Sequence, residues 1–514
     1  MLRRIFGAKT HTYLHVLGLS GLAFGLPFNK VVMSISMMFL VLNLLIEGDF
    51  KTYWTKLKSN RGFILILSLI LLTALSVFWS TDTAYGLHDL KAKLPLLVIP
   101  VVLAAKPIYN SKFINIILIS FVGSVMMTST INYGAYSQCF GSIEYDDIRG
   151  MSLFSSHVRY ALLVVMSVAI LIHFLVKKQG PILLWIVLLI WLNYYTYFSQ
   201  ILSGAITLLG IYSVILFYWI WHKQKLVALI GLFSVLITTT VMIVIVFKPI
   251  NYNPADYTHK TLGRRTAEGN IYYHKPGIVS PETGKPIHIF ISEIELKREW
   301  EKVSDIPFEG LDVKGQQIKS TMIRYMASKD LKKDAVGFSK LTKKDIESIE
   351  NGCTTVHYKG MIARIYGLKY QLSNVSDPNG HSFLQRLEYW KTGAEIAKKN
   401  WIIGVGTGDA QLVFNHQYHI NKSILREENR DRSHNMYLTV LLTIGIVGLV
   451  LLLWSHIRFF VLNFKSGQIV AVLFMSIVLL SYFMEDTLET QTGVTFFALF
   501  YGLFFNFSKK EQIS

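Results

Sequence analysis

Apolar runs close to 20 residues long recur along the chain, separated by short polar connections. They fall at about 12–28, 31–47, 62–79, 91–105, 113–131, 157–176, 181–199, 201–221 and 225–247. A polar stretch of nearly two hundred residues follows. Three further apolar runs lie near 435–455, 467–484 and 491–507. A helix crosses the hydrocarbon core with about 20 apolar residues. The pattern therefore predicts a polytopic α-helical membrane protein with about 12 transmembrane helices and one large loop domain. It divides the chain into a nine-helix region at 1–247, a loop domain at 248–433 and a three-helix region at 434–514.

Inside the polar stretch the texture changes. From about 250 to 380 the pattern is mixed. Ile287–Ile291 alternates as a short strand does, and Ile271–Lys275 is placed to pair with it. Gly269-Asn270, Pro281–Gly284 and Pro378-Asn379-Gly380 are turn signals. Glu293–Lys302, Ile318–Ser328 and Lys343–Glu350 read as short helices, so this part is expected to be a small α+β module. From Ser382 a helical stripe begins at Phe383, Leu387, Trp390, Ala394 and Ala397, with Ser382 and Gln385 at the spacing of a capping box. This helix is expected to stop near Asn400. Gly404–Asp409 then reads as a tight glycine-rich turn. It lacks the Gly-Lys-Ser/Thr ending of a phosphate-binding loop.

Composition agrees with the pattern. The chain is 52% hydrophobic and 16% charged, against about 25% charged in soluble domains. Lys and Arg in short loops set orientation. With the N-terminus cytoplasmic (Arg3, Arg4, Lys9), the even connections are basic: Lys51, Lys56, Lys58 and Arg61; Lys106 and Lys112; Lys177 and Lys178; Lys223 and Lys225; Arg458 and Lys465. The odd ones are poor in basic residues. This predicts both termini inside and 248–433 outside. The net charge of +18 is then largely the inside bias, and a nucleic-acid partner is excluded for an external domain. The outer segment has 29 Lys and Arg against 22 Asp and Glu, a mildly basic balance. No small-residue cleavage site follows the first apolar run, which is expected to be retained. The two cysteines, Cys139 and Cys353, both fall outside, where a disulfide is permitted but not required.

The candidate chemistry lies at the end of the polar stretch. His434 is the last titratable residue before an apolar helix, with a pKa range suited to a general base. Arg386 lies beside Trp390, 48 residues earlier; its planar fork can hold a phosphate bidentately. Further cations open spans on the same side: Lys91 and Lys93 at the fourth, Arg159 with His157 at the sixth, and Arg265 just after the ninth. The third outer connection adds Glu144, Asp146, Asp147 and Arg149. The adjacent acidic pairs Asp146-Asp147, Glu427-Glu428 and Glu485-Asp486 read as loop surface, and none has a His at ligand spacing, so no metal site is expected.

His434-Asn435, nine residues, then Gly445-Ile446-Val447-Gly448 resembles the signature of the O-antigen ligase and polymerase superfamily. The Arg386–Trp390 helix and the Gly404–Gly408 turn are also similar to that family. Ser292–Glu350 is similar to an insertion in Bacteroidota-type members. One departure is Leu202-Ser203-Gly204-Ala205, where many members carry Ser-Arg at the start of the eighth span. The resemblance implies a GT-C-like, metal-independent membrane glycosyltransferase without a cofactor. Its donor would be a glycan on undecaprenyl pyrophosphate, and its acceptor a sugar hydroxyl of lipid A–core or of another glycan. It implies His434 as the base, and Arg386, Arg265, Arg159, Lys93, Asn435 and Trp390 as residues that bind pyrophosphate or glycan. It places the protein in the bacterial inner membrane. A repeat-unit polymerase and a protein O-oligosaccharyltransferase share the signature. A transporter for the lipid-linked glycan would need polar residues along a path, and the spans are almost free of central charges.

Overall fold

The computed structural model describes residues 7–139, 148–247, 257, 262–313, 315–358, 360–374, 377–379 and 381–507. Glu144, Asp146, Asp147 and Gly380 lie outside the described residues, as does the side chain of Arg149.

Each of the twelve apolar runs is helical. Helices α1 (Ala8–Phe28) and α2 (Lys30–Glu47) are followed by a short basic helix α3 (Phe50–Ser59), then by α4 (Arg61–Leu75), which tightens into a 3-10 turn at Ser76–Trp79. Helix α5 (Thr83–Ala92) turns at Lys93 into α6 (Leu94–Ala105), whose first turn contains Pro95. Then come α7 (Ser111–Tyr136), α8 (His157–Val176), α9 (Ile182–Phe198), α10 (Leu202–Lys223) and α11 (Lys225–Phe247). Among the described residues six helices are long and apolar enough to cross a membrane, and further apolar helices are shorter. The chain is a multi-pass helical membrane protein. Helix α8 is the most enclosed of the long ones, with a continuous buried run from Tyr160 to Leu171.

The polar stretch folds as its pattern predicts in its first part. Strands β1 (Tyr273–Val279) and β2 (Pro286–Ile291) pair antiparallel, with Lys275 opposite His288. Helices α12 (Glu293–Trp300), α13 (Ile318–Ser328), α14 (Ala335–Phe338) and α15 (Lys343–Glu350) pack on them. Ile287, Leu296, Trp300, Phe308, Met322, Met326 and Ile349 form that core. Helix α16 (Gly360–Asn374) follows, then α17 (Ser382–Asn400) and α18 (Ala410–Ile420). The C-terminal helices are α19 (Met436–Lys465), α20 (Ile469–Ser481) and α21 (Gln491–Phe507).

Three local expectations need correction. The capping box is not formed: His381 is the N-cap of α17 and makes no side-chain cap bond, because the helix starts one residue early. The buried face of α17 is Tyr389, Thr392, Gly393, Ile396 and Ala397. Leu387 is exposed and Trp390 half-buried, so the true stripe is rotated by about one residue from the predicted one. Lys91 sits in the last turn of α5 rather than opening a span. Both cysteines are free.

Candidate active site

Three segments meet where α19 begins. The first is α19 itself. Asn435 is its N-cap, and its side-chain oxygen accepts from the Leu438 N–H at 3.1 Å. After nine residues, Met436–Ile444, the helix breaks: Gly445 has φ +67° and ψ −169°. That backbone region is accessible only to glycine. The break leaves open backbone groups, which apolar surroundings do not tolerate. The second segment, the turn after α17, satisfies them. Val405 N–H donates to Leu442 O at 2.7 Å, and Gly406 N–H to Thr443 O at 3.0 Å. Ile446 N–H donates to Trp401 O at 2.8 Å. The approach is backbone on backbone. A Cβ on Gly445 would lie 2.1 Å from Ile402 O, and one on Gly404 2.5 Å from the Thr443 carbonyl.

The glycine-rich turn is itself anchored to the N-terminal half of the chain. Thr407 N–H donates to Ser76 Oγ at 3.1 Å, and Gly408 N–H to Ser80 Oγ at 3.0 Å. Asp409 accepts from the N–H groups of Thr81 and Asp82, each at 2.9 Å. Burial raises the Asp409 carboxyl, but these donors more than offset it and hold it below its ordinary range. The turn is structural, as its missing lysine implied.

His434 stands just before α19 with φ +46°. Its ring lies 5.7 Å from that of Tyr389 on α17. Nε2 faces the Asp431 carboxylate at 3.7 Å, and Nδ1 is buried without a hydrogen-bond partner. Burial pushes the imidazole pKa down, but Asp431, Asp486 and Glu485 together outweigh it, and the net shift is upward despite Arg386. Arg386, one helical turn from Tyr389, is close enough for its charge to act on this ring. Among the described residues Arg386 has no ion-pair partner, and its Nε is buried unpartnered. Trp390 Nε1 is likewise unpartnered. A planar cation without a counter-charge beside an imidazole is a site for an anion.

The third segment is the loop between α20 and α21. Glu485 and Asp486 are buried, not loop surface. Glu485 accepts from Arg159 Nη2 at 2.8 Å. Asp486 accepts from Thr439 Oγ1 at 2.8 Å, and Thr439 meets Ser433 at 2.6 Å. Glu489 bridges Lys93 Nζ at 2.7 Å and Arg432 Nη1 at 3.0 Å, and Lys93 also contacts Asp89 at 2.5 Å. Two buried carboxylates thus neutralise Lys93, and Arg159 has a buried Nε without a hydrogen-bond partner. Arg265 lies apart, exposed in the module and donating to Gly269 O at 2.8 Å. Among the described residues no three His, Cys, Asp or Glu side chains gather as a metal site.

The structure therefore brings His434, Arg386, Asn435 and Trp390 together, with Arg159 and Lys93 joined through carboxylates. Asp431, Arg432, Tyr389, Asp89 and Glu489 were not singled out from sequence. The i, i+4 spacing of Asp89 and Lys93, and the Asp-Arg pair two residues before His434, were the available signals.

The site of this helical membrane protein thus sets an imidazole beside a guanidinium that has no ion-pair partner among the described residues, at the start of a broken helix. Residues 345–453 match the family model described as O-antigen ligase. This stretch contains α17, the glycine-rich turn, His434 and the break at Gly445, and over it the chain carries the O-antigen ligase family domain. Glycan transfer of the O-antigen ligase type is the general activity that goes with the match. No curated protein matches the chain.

Proposed function

We propose that this protein moves a glycan from undecaprenyl pyrophosphate to a sugar hydroxyl of lipid A–core, without metal or cofactor. In this reading it spans the bacterial inner membrane twelve times, with both termini cytoplasmic and 248–433 periplasmic. The observation that carries the reading is His434 beside the unpaired Arg386. One ring nitrogen faces Asp431, which orients the imidazole; the other has no partner and is left for the acceptor hydroxyl. As that hydroxyl attacks the anomeric carbon, its proton passes to the neutral ring. The bond from the anomeric carbon to the pyrophosphate oxygen breaks, and the pyrophosphate carries the electron pair away. Arg386 supplies fixed positive charge to that leaving group. Arg159, with one guanidinium nitrogen unpartnered, and Trp390 lie beside the same substrate path. Asn435 acts by fixing the helix start that aims His434.

Purified protein in liposomes with the lipid-linked donor and lipid A–core tests this. His434→Ala should abolish transfer at normal abundance, and His434→Gln should not rescue it. Arg386→Lys should be impaired and Arg386→Ala worse, by about 100-fold or more. Transfer by His434→Ala near the wild-type rate would remove the base assignment, and loss of transfer with a chelator would remove the metal-free mechanism. Product linked to protein or to another repeat unit would replace the acceptor.

A further inference from the structure

We propose that the α+β module carries an anion site, built by Arg324, Lys333, Lys275 and His288 with Tyr370, that grips a phosphate on the acceptor glycan. The proposal rests on the function proposed above and names the part of the substrate the module recognises.

The module pairs many of its cations. Lys285 meets Asp330, Arg298 meets Glu268 and Glu299, Lys302 meets Glu299, Lys319 meets Glu293, and Lys329 meets Asp345. The cations around β2 are different. Among the described residues, Arg324, Lys333 and Lys275 have no carboxylate within ion-pair distance. Yet Lys333 is only 4% exposed. A buried charge is costly unless paired; Asp330 and Glu282 act on Lys333 and Arg324 only from beyond ion-pair distance, so buried Lys333 beside half-buried Arg324 and exposed Lys275 defines a place for an anion.

The fold brings them together. Lys275 and His288 are opposite each other in the β1–β2 pair, and Lys333 lies beside Ile291 at the end of β2. Arg324 comes from α13, which packs on β2. The crowding is felt at His288: burial pushes its pKa down, and Lys333, Lys275 and Arg324 push it further, to about 4. Burial also lowers Lys333 to about 8. Arg324 stacks 3.9 Å over the Tyr370 ring, which leaves the edge of its guanidinium fork for a bidentate acceptor.

Two details point to a phosphorylated sugar. Tyr366 lies one helical turn before Tyr370 on α16 and stacks on Tyr358 at 4.3 Å, so aromatic faces flank the cations. Glu282, whose charge reaches Arg324, Tyr366 and Tyr370, supplies an acceptor for sugar hydroxyls. The site also adjoins the active-site helix. Arg324 acts on His381, the N-cap of α17, and Arg386 lies five residues further on. At about 1.5 Å rise per residue, that is roughly 7.5 Å along the helix. An acceptor held by its phosphate on the module would extend toward His434.

The test is direct binding to the full chain in detergent micelles, followed by isothermal titration calorimetry with glucose 6-phosphate, glucose and inorganic phosphate. Glucose 6-phosphate should bind, and glucose should bind more weakly by about ten-fold or more. Lys275→Gln, an exposed change that leaves the core intact, should weaken it, and Lys333→Met with Arg324→Gln should weaken it by about ten-fold or more. His434→Ala should bind as wild type, which separates this site from the transfer reaction. In the liposome assay the same variants should raise KM for phosphorylated acceptor, spare kcat, and leave dephosphorylated acceptor unchanged. Equal binding of glucose and glucose 6-phosphate, or undiminished binding by both the single and the double variant, would overturn the site. Binding of inorganic phosphate alone would overturn the sugar assignment.

Discussion

His434 is pulled in two directions, and the balance has a measurable sign. A helix N-terminus disfavours a protonated ring and on its own would lower this imidazole. The folded chain corrects this: Asp431, Asp486 and Glu485 hold the pKa above its ordinary value. Asp431 is the largest of the upward influences. Asp431→Asn should therefore lower the pKa of His434. The base would then remain neutral at lower pH, and the acid limb of the rate profile should move down. A limb that stays in place would show that another group governs it. His434, Arg386 and Trp390 were legible because a titratable or planar side chain at the edge of an apolar run is conspicuous. Glu485, Asp486 and Glu489 were not. Their importance comes from burial between two short helices far along the chain, which local pattern does not reveal.

At the scale of elements, the nine residues between Asn435 and Gly445 have a physical meaning. They are the length of a half-helix, capped at one end by Asn435 and broken at the other by Gly445. Gly445→Ala would put a Cβ 2.1 Å from Ile402 O in a backbone region that L-residues avoid. It should cost about 3 kcal/mol or more, read as a lowered unfolding temperature in detergent. Gly123, with no atom within 4 Å of a built Cβ, is the control, and Gly123→Ala should leave that temperature unchanged. Helix positions, the β1–β2 pair and the bounds of α13 and α15 were readable from period and turn signals. The break in α19 was not, because Thr439–Val450 is largely apolar and its two glycines, Gly445 and Gly448, are commonplace in such a run. The rotated stripe of α17 has a related cause: Tyr389 has both an apolar body and a polar tip, and it was the tertiary contact with His434 that chose its face.

At the scale of the molecule, the charge bias of the connections makes one claim about the whole. A reporter active only in the cytoplasm should be silent when fused at Gly310 and strong at Ser514. Reversed signals would place His434 on the wrong side for a donor presented outside. The network around Glu489 shows what such a count of loop charges misses. Lys93 and Arg432, from connections far apart in sequence, are both spent on one buried carboxylate. The sign of a loop residue is legible; its partner is a property of the assembled bundle.

The clasp at Gly445 also constrains the order in which the chain is made. Leu442 and Thr443 expose carbonyls that α19 alone does not satisfy, and their donors are the N–H groups of Val405 and Gly406. The next residues of that turn, Thr407, Gly408 and Asp409, are in turn fixed by Ser76, Ser80 and Thr81. Packing of α19 is therefore incomplete until the turn after α17 has come back to meet it, with the end of α4 already in place. The tenth run is a late-maturing one: a quality-control protease would meet its first half open, and a chain whose polar stretch fails to dock would be exposed there first.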